Sequence, residues 1–218
     1  MKVIRLFPLE LGRLLQSRLT WLIILLTVIS PVTGLVLYKP ATATTMLTLY
    51  LANPTIAGGV VGGILFGLLT VFELNRVSRS RADVLVDAAV SPLTMALVRI
   101  LALLATAVLT MALTMLLWFP ISWRMIGSVF SIMDYMLAYL LLMGLPLPLS
   151  ILTAASAYQF TQRADLSLVL FSTFSALSLT VWTDNWQLCW LNPCVWALSD
   201  DFSNFRIFRS VAWMRLTW

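Results

Sequence analysis

The chain has 218 residues, 61% hydrophobic and 11% charged, where an ordinary soluble domain has about 45–50% and about 25%. That excess excludes a soluble globule. Its 14 Lys and Arg against 9 Asp and Glu leave a net charge of +5, which suits anionic headgroups or nucleic acid until its placement is known. No histidine occurs, so a zincin helix, a Ser/His dyad, a His-ligated haem and a His-based acid–base pair are all excluded.

Residues 1–19 carry Lys2, Arg5, Arg13 and Arg18 among Leu6, Phe7, Leu9, Leu11, Leu14, Leu15 and Leu19. A basic helix with an apolar face lies in the headgroup plane, and an N-terminal interfacial helix is predicted here. A secretory signal is the competing reading, but the following apolar run is too long and no small-residue cleavage site follows Tyr38.

Five stretches reach the roughly 17–25 apolar residues that a membrane helix needs: 20–38, 56–72, 95–118, 135–158 and 166–182. They are longer than barrel strands and apolar on every face, so their backbones must satisfy themselves helically. The predicted fold is all-α, one polytopic transmembrane bundle over residues 1–218, with an outer segment at 183–218.

In the second span Gly59, Gly63 and Gly67 share one face at four-residue intervals. Such a face admits another helix closely, by packing within the bundle or as a dimer contact. The segment 73–92 is predicted to be a cytoplasmic loop. It brings Glu73, Arg76, Arg79, Arg81, Asp83 and Asp87 around Val84 and Leu85. Ser80 and Asp83 form a capping pair, Val84, Leu85, Ala88 and Ala89 recur at helical spacing, and Pro92 stops the short helix. That helix is either a solvated connector or a stripe that enters a groove on a cytoplasmic partner.

Further along, Arg99 lies near an inner end, where its stem can snorkel, and Asp134 borders an outer one. Spans so poor in ionisable groups argue against an ion-coupled carrier. Pro146 and Pro148 are predicted to kink the fourth span. Trp118, Trp123, Trp182, Trp186, Trp190 and Trp196 fall at or beyond the outer interface. Cys189 and Cys194 either pair in an oxidising exterior or, on a helix, stay apart as free thiols. Asp200 and Asp201 beside Ser199 and Asn204 cap a short helix more readily than they bind a cation.

With the N-terminus inside, the inner segments hold Lys2, Arg5, Arg13, Arg18, Arg76, Arg79, Arg81, Arg99 and Arg163, and the two enclosed outer loops hold only Lys39 and Arg124. This asymmetry places the N-terminus in the cytoplasm of a cell with a plasma or inner membrane. Arg206, Arg209 and Arg215 follow the fifth span on the opposite side.

Several of these residues resemble the membrane domain of ABC transporter permeases of the type 2 exporter class. Glu73 takes the place of a glutamate closing the second span, residues 83–89 that of the coupling helix, Val90, Ser91 and Pro92 a permuted Pro-Val-Ser-like turn, and Arg99 an early cation of the third span. The basic N-terminal helix is similar to the family's elbow helix, and Asn192-Pro193 to an Asn-Pro after its fifth span. The family's half-transporter has six spans, so 209–218 resembles the outer lip of a sixth whose body is absent.

The resemblance implies a permease subunit that forms a pathway for an amphipathic, lipid-like or peptide cargo. Its partners would be a cytoplasmic ABC ATPase, a second permease copy or paralogue, and membrane lipids, with no nucleic acid. Walker-type phosphate loops are missing, so nucleotide chemistry would belong to the separate subunit, and no cofactor is expected on this chain. Two other readings stand beside it. One is a non-transporting scaffold or immunity-type protein that binds a peptide or partner helix on the glycine face. The other, an intramembrane enzyme, would have to work with Ser/Asp or Asp/Asp chemistry, and Asp134 and Asp184 on outer loops support it little.

Overall fold

The computed structural model describes residues 2–36, 47–80 and 92–180, and no strand occurs among them. Helix α1 spans Lys2–Gln16, α2 Arg18–Ile29 and α3 Pro31–Val36; a π-helical turn at Thr48–Ala52 leads into α4, Asn53–Ser80. Then come α5, Pro92–Ile126, a 3-10 turn at Gly127–Val129, α6, Ile132–Leu142, α7, Pro146–Thr161, and α8, Ala164–Thr180. Among the described residues, four stretches are long and apolar enough to cross a bilayer: Arg18–Val36, Leu49–Arg76, Leu93–Val129 and Ile132–Thr161. Of the predicted fifth span, residues 166–180 lie in α8 and the last two fall outside the described residues.

The polarity of the bundle runs opposite to that of a soluble one. Large apolar side chains such as Leu22, Leu25, Leu116, Met133, Leu140 and Val169 point outward, while Thr20, Thr27, Thr70, Thr106, Thr110, Thr114 and Ser150 are wholly buried. Those hydroxyls are tolerated because most bond their own helix. Thr106, Thr110 and Thr114 each donate to the carbonyl four residues earlier at 2.7–2.8 Å, so these three need no partner from lipid, whereas the hydroxyls of Thr20 and Thr27 are buried without a hydrogen-bond partner.

Helix breaks have local causes. Pro31 has no N–H for the Thr27 carbonyl, and Ser30 Oγ supplies the missing donor at 2.7 Å. Residues 143–145 separate α6 from α7, and Pro146 opens the new helix, where its missing donor costs nothing. The disturbance expected at the prolines of the fourth span is thus a three-residue turn between α6 and α7, and helical hydrogen bonds resume at once with Leu147 N–H to the Met143 carbonyl.

Helix α4 is the most enclosed of the spans and packs on α2, α3, α5, α7 and α8. Its glycines serve two sides. A Cβ on Gly59 would strike the Leu142 carbonyl and one on Gly67 the Phe171 ring, while one on Gly63 would lie 2.7 Å from Ser150 Oγ. On the other side, a Cβ on Gly62 would lie 2.7 Å from Thr27 Cγ2. The face bearing Gly59, Gly63 and Gly67 is thus filled by α6, α7 and α8 of the same chain.

Cross-links from α5 close the far end. Trp118 Nε1 donates to the Val28 carbonyl at 2.9 Å, and Tyr135 OH donates to the Met115 carbonyl at 2.6 Å. Trp118 is buried, so it belongs to the core and not to the interfacial belt predicted for it, whereas Trp123 is exposed. Phe119 packs edge-on against Phe130 and Tyr135, each with ring centroids 5.6 Å apart.

Replacing Gly59 by Ala should cost about 1–3 kcal/mol, because the obstacle is backbone, and lower the Tm of the detergent-solubilised protein by about 2–10 °C. Gly12 has nothing within 4 Å of its missing Cβ. Gly12→Ala should leave the Tm unchanged or raise it slightly, since alanine favours helix by about 1 kcal/mol.

Candidate functional site

Four charged side chains meet where α1, the C-terminal part of α4 and the start of α5 come together. Glu10 and Arg13 are three residues apart and share one face of α1. Arg13 Nε donates to Glu10 Oε2 at 2.9 Å and Arg13 Nη2 to Glu10 Oε1 at 2.8 Å, a bidentate pair. The same Nη2 reaches Glu73 Oε2 of α4 at 2.6 Å. Arg99 Nε of α5 completes the set, 3.2 Å from Glu10 Oε1.

Burial and charge fit each other here. Glu10 and Glu73 are only 8% and 6% exposed, and carboxylates so far from water require cations in contact. Two acids and two arginines sum to zero. Burial by itself lowers the affinity of the Arg13 guanidinium for its proton, but the hydrogen bonds it donates to Glu10 and Glu73, with their charges, outweigh this and raise its pKa above the ordinary arginine value. A base with a raised pKa lends stability that is complete below its unfolded value and lost only as pH climbs through the folded one. Arg13 therefore holds its pairs throughout the physiological range. Leu14, next in sequence, is 2% exposed and seated in the main core, so α1 is held by packing as well as charge.

Of the residues expected to couple to a partner, Glu73 enters this cluster, whereas Arg76 is exposed one turn further along. Helix α4 runs on to Ser80, so Glu73 to Ser80 are helix and not the opening of the predicted loop. Arg79 lies in the last turn of α4. Arg81, Asp83, Val84, Leu85 and Asp87 fall outside the described residues, as do Asp184, Cys189, Cys194, Asp200, Asp201 and the later tryptophans. Arg99 pairs with Glu10 instead of snorkelling. Glu10 itself was not expected. Its signal was a lone acid in a basic amphipathic segment, four residues before Leu14 and so on the buried face.

The cluster defines one end of the bundle. Leu142 lies beside Gly59 and Ser150 beside Gly63, so α6 and α7 advance in the same direction as α4, and Arg163 follows α7 at the end bearing the cluster. The opposite end carries Arg124 and Asp134 beside the aromatic rings. Comparison with family models, with curated proteins and with solved structures finds no match to this chain.

Glu10 contacts both arginines and Glu73 one, so Glu10→Gln should destabilise the solubilised protein more than Glu73→Gln, by about 3 kcal/mol at most. Adding Arg99→Gln to Glu10→Gln should recover part of the loss, and Arg76→Gln should change nothing. Thermal unfolding in one detergent reads all four variants.

Proposed function

We propose that the chain is the membrane-spanning permease subunit of an ATP-driven exporter, coupled through its 81–91 segment to a cytoplasmic ATPase. The observation that carries this reading is the charge cluster. It fastens the basic amphipathic helix to the inner ends of the second and third spans, beside the segment that joins them. A push on 81–91 would reach Glu73 through about two turns of continuous helix and pass to α1 and α5 through the shared arginine. Two such bundles would enclose the pathway, and closure of the ATPases would switch access between the two sides.

The same end also bears on the orientation we propose. Arg13, Arg18, Arg76, Arg99 and Arg163 lie near the cluster and Arg124 opposite, which supports a cytoplasmic N-terminus in a plasma or inner membrane. The scaffold reading loses the surface on which it rested, because the glycine face is covered by this chain's own helices.

Replacing Val84 and Leu85 together by Asp should abolish co-purification with a co-expressed ABC ATPase encoded beside this chain while leaving the permease monodisperse. Undiminished co-purification would overturn the coupling role. A cysteine at Ser80, in a background lacking Cys189 and Cys194, should react with an impermeant maleimide only after the membrane is opened. Reaction from outside intact cells would overturn the orientation and with it the exporter.

A further inference from the structure

Helices α2 and α5 leave an open groove of about 430 Å³ between them. Its walls are Trp21, Leu25 and Val28 of α2 with Leu113 and Leu117 of α5, over a floor of Ile24, and no polar side chain lines it. From Trp21 to Val28 it follows α2 for about 10 Å. Arg18 precedes Trp21 and Leu22 by three and four residues, so it continues the same face at the groove's end nearest the charge cluster. Arg18 is exposed and has no carboxylate partner among the described residues, in contrast to Arg13 and Arg99. Trp21 Nε1 donates to the Leu15 carbonyl at 2.6 Å, which turns the polar edge of the indole toward α1 and leaves its apolar body for the groove.

We propose that this groove holds one acyl chain of an anionic membrane phospholipid whose phosphate rests against Arg18. The inference depends on the chain spanning a membrane, and on nothing in the exporter reading. Apolar walls ending at one unpaired cation match the two parts of such a lipid in order: chain, then phosphate at the level where an interfacial tryptophan sits. An apolar helix from a second copy fits less well, because it would leave the exposed Arg18 without a counter-charge.

The test uses the full chain reconstituted in phosphatidylcholine bilayers doped, at equal mole fraction, with phosphatidylglycerol or phosphatidylcholine brominated on the acyl chain. Bromine quenches nearby tryptophan, and subtracting the signal of Trp21→Phe isolates the groove. Brominated phosphatidylglycerol should associate about fivefold more strongly than brominated phosphatidylcholine, the factor that one cation near a headgroup contributes. Arg18→Gln should bring the two lipids to the same level, and Leu113→Phe should narrow the groove and weaken quenching by both.

Equal quenching by the two lipids in the unaltered protein would overturn the proposal. So would a preference that survives Arg18→Gln, or no quenching by either lipid, as when a second copy covers the groove. Resistance of the same protein to alkaline carbonate extraction reads its membrane insertion separately. Loss of that resistance would overturn insertion and lipid site together, whereas its retention without lipid preference would overturn the site alone.

Discussion

A carboxylate taken out of water at the edge of an apolar slab needs a cation in contact, and Glu10 has two. That requirement fixes the geometry of one end of the bundle. Arg13 is shared between Glu10 and Glu73, and Glu10 between Arg13 and Arg99, so loss of Glu10 strands Arg99 and loss of Arg13 strands Glu73 in a poorly hydrated place. The amphipathic helix is consequently held by charge as well as by packing, with Leu14 in the core. Three helices far apart in sequence are brought to one point by a neutral quartet.

The remainder of the bundle is held by closeness of backbones, since lipid offers apolar groups no reason to leave it. Helix α4 illustrates the principle. Gly59, Gly63 and Gly67 let α6, α7 and α8 approach on one side, and Gly62 admits Thr27 of α2 on the other. The hydroxyls that line the interior are bonded chiefly to their own helices, as in the threonine ladder of α5. They add little directional glue and allow the helices to sit near one another without a large side chain between them.

Much of this architecture was readable from residues alone, because a bilayer demands long apolar runs and a basic amphipathic segment is hard to place elsewhere. The four long apolar helices fall where composition and periodicity put them. What escaped depended on contacts between distant segments. Glu10 is one acid among cations, and nothing in its own neighbourhood announces that Arg99 lies opposite. The polar run after Phe72 reads as a loop, yet a helix anchored by Glu73 continues to Ser80. Trp118 looked like a belt residue, although it continues by fours the buried series Thr106, Thr110, Thr114 and precedes Ser122. That spacing would have placed it inside. Pro146 was recognisable as a disturbance, but whether proline bends a helix or begins a new one depends on the turn before it.

The length of α5 carries a consequence for the far side of the membrane. Its 35 residues extend about 52 Å, and the part beyond Arg99 alone about 40 Å, against roughly 30 Å of hydrocarbon. With Arg99 tethered by Glu10, the surplus must emerge opposite, and even a tilt of about 40°, the upper end of what is observed, would only just absorb it. At an ordinary inclination the rings of Phe119, Trp123, Phe130 and Tyr135 stand as a collar above the acyl chains. The end of the bundle away from Glu10 is thereby finished by aromatic rings that meet edge-on or tilted.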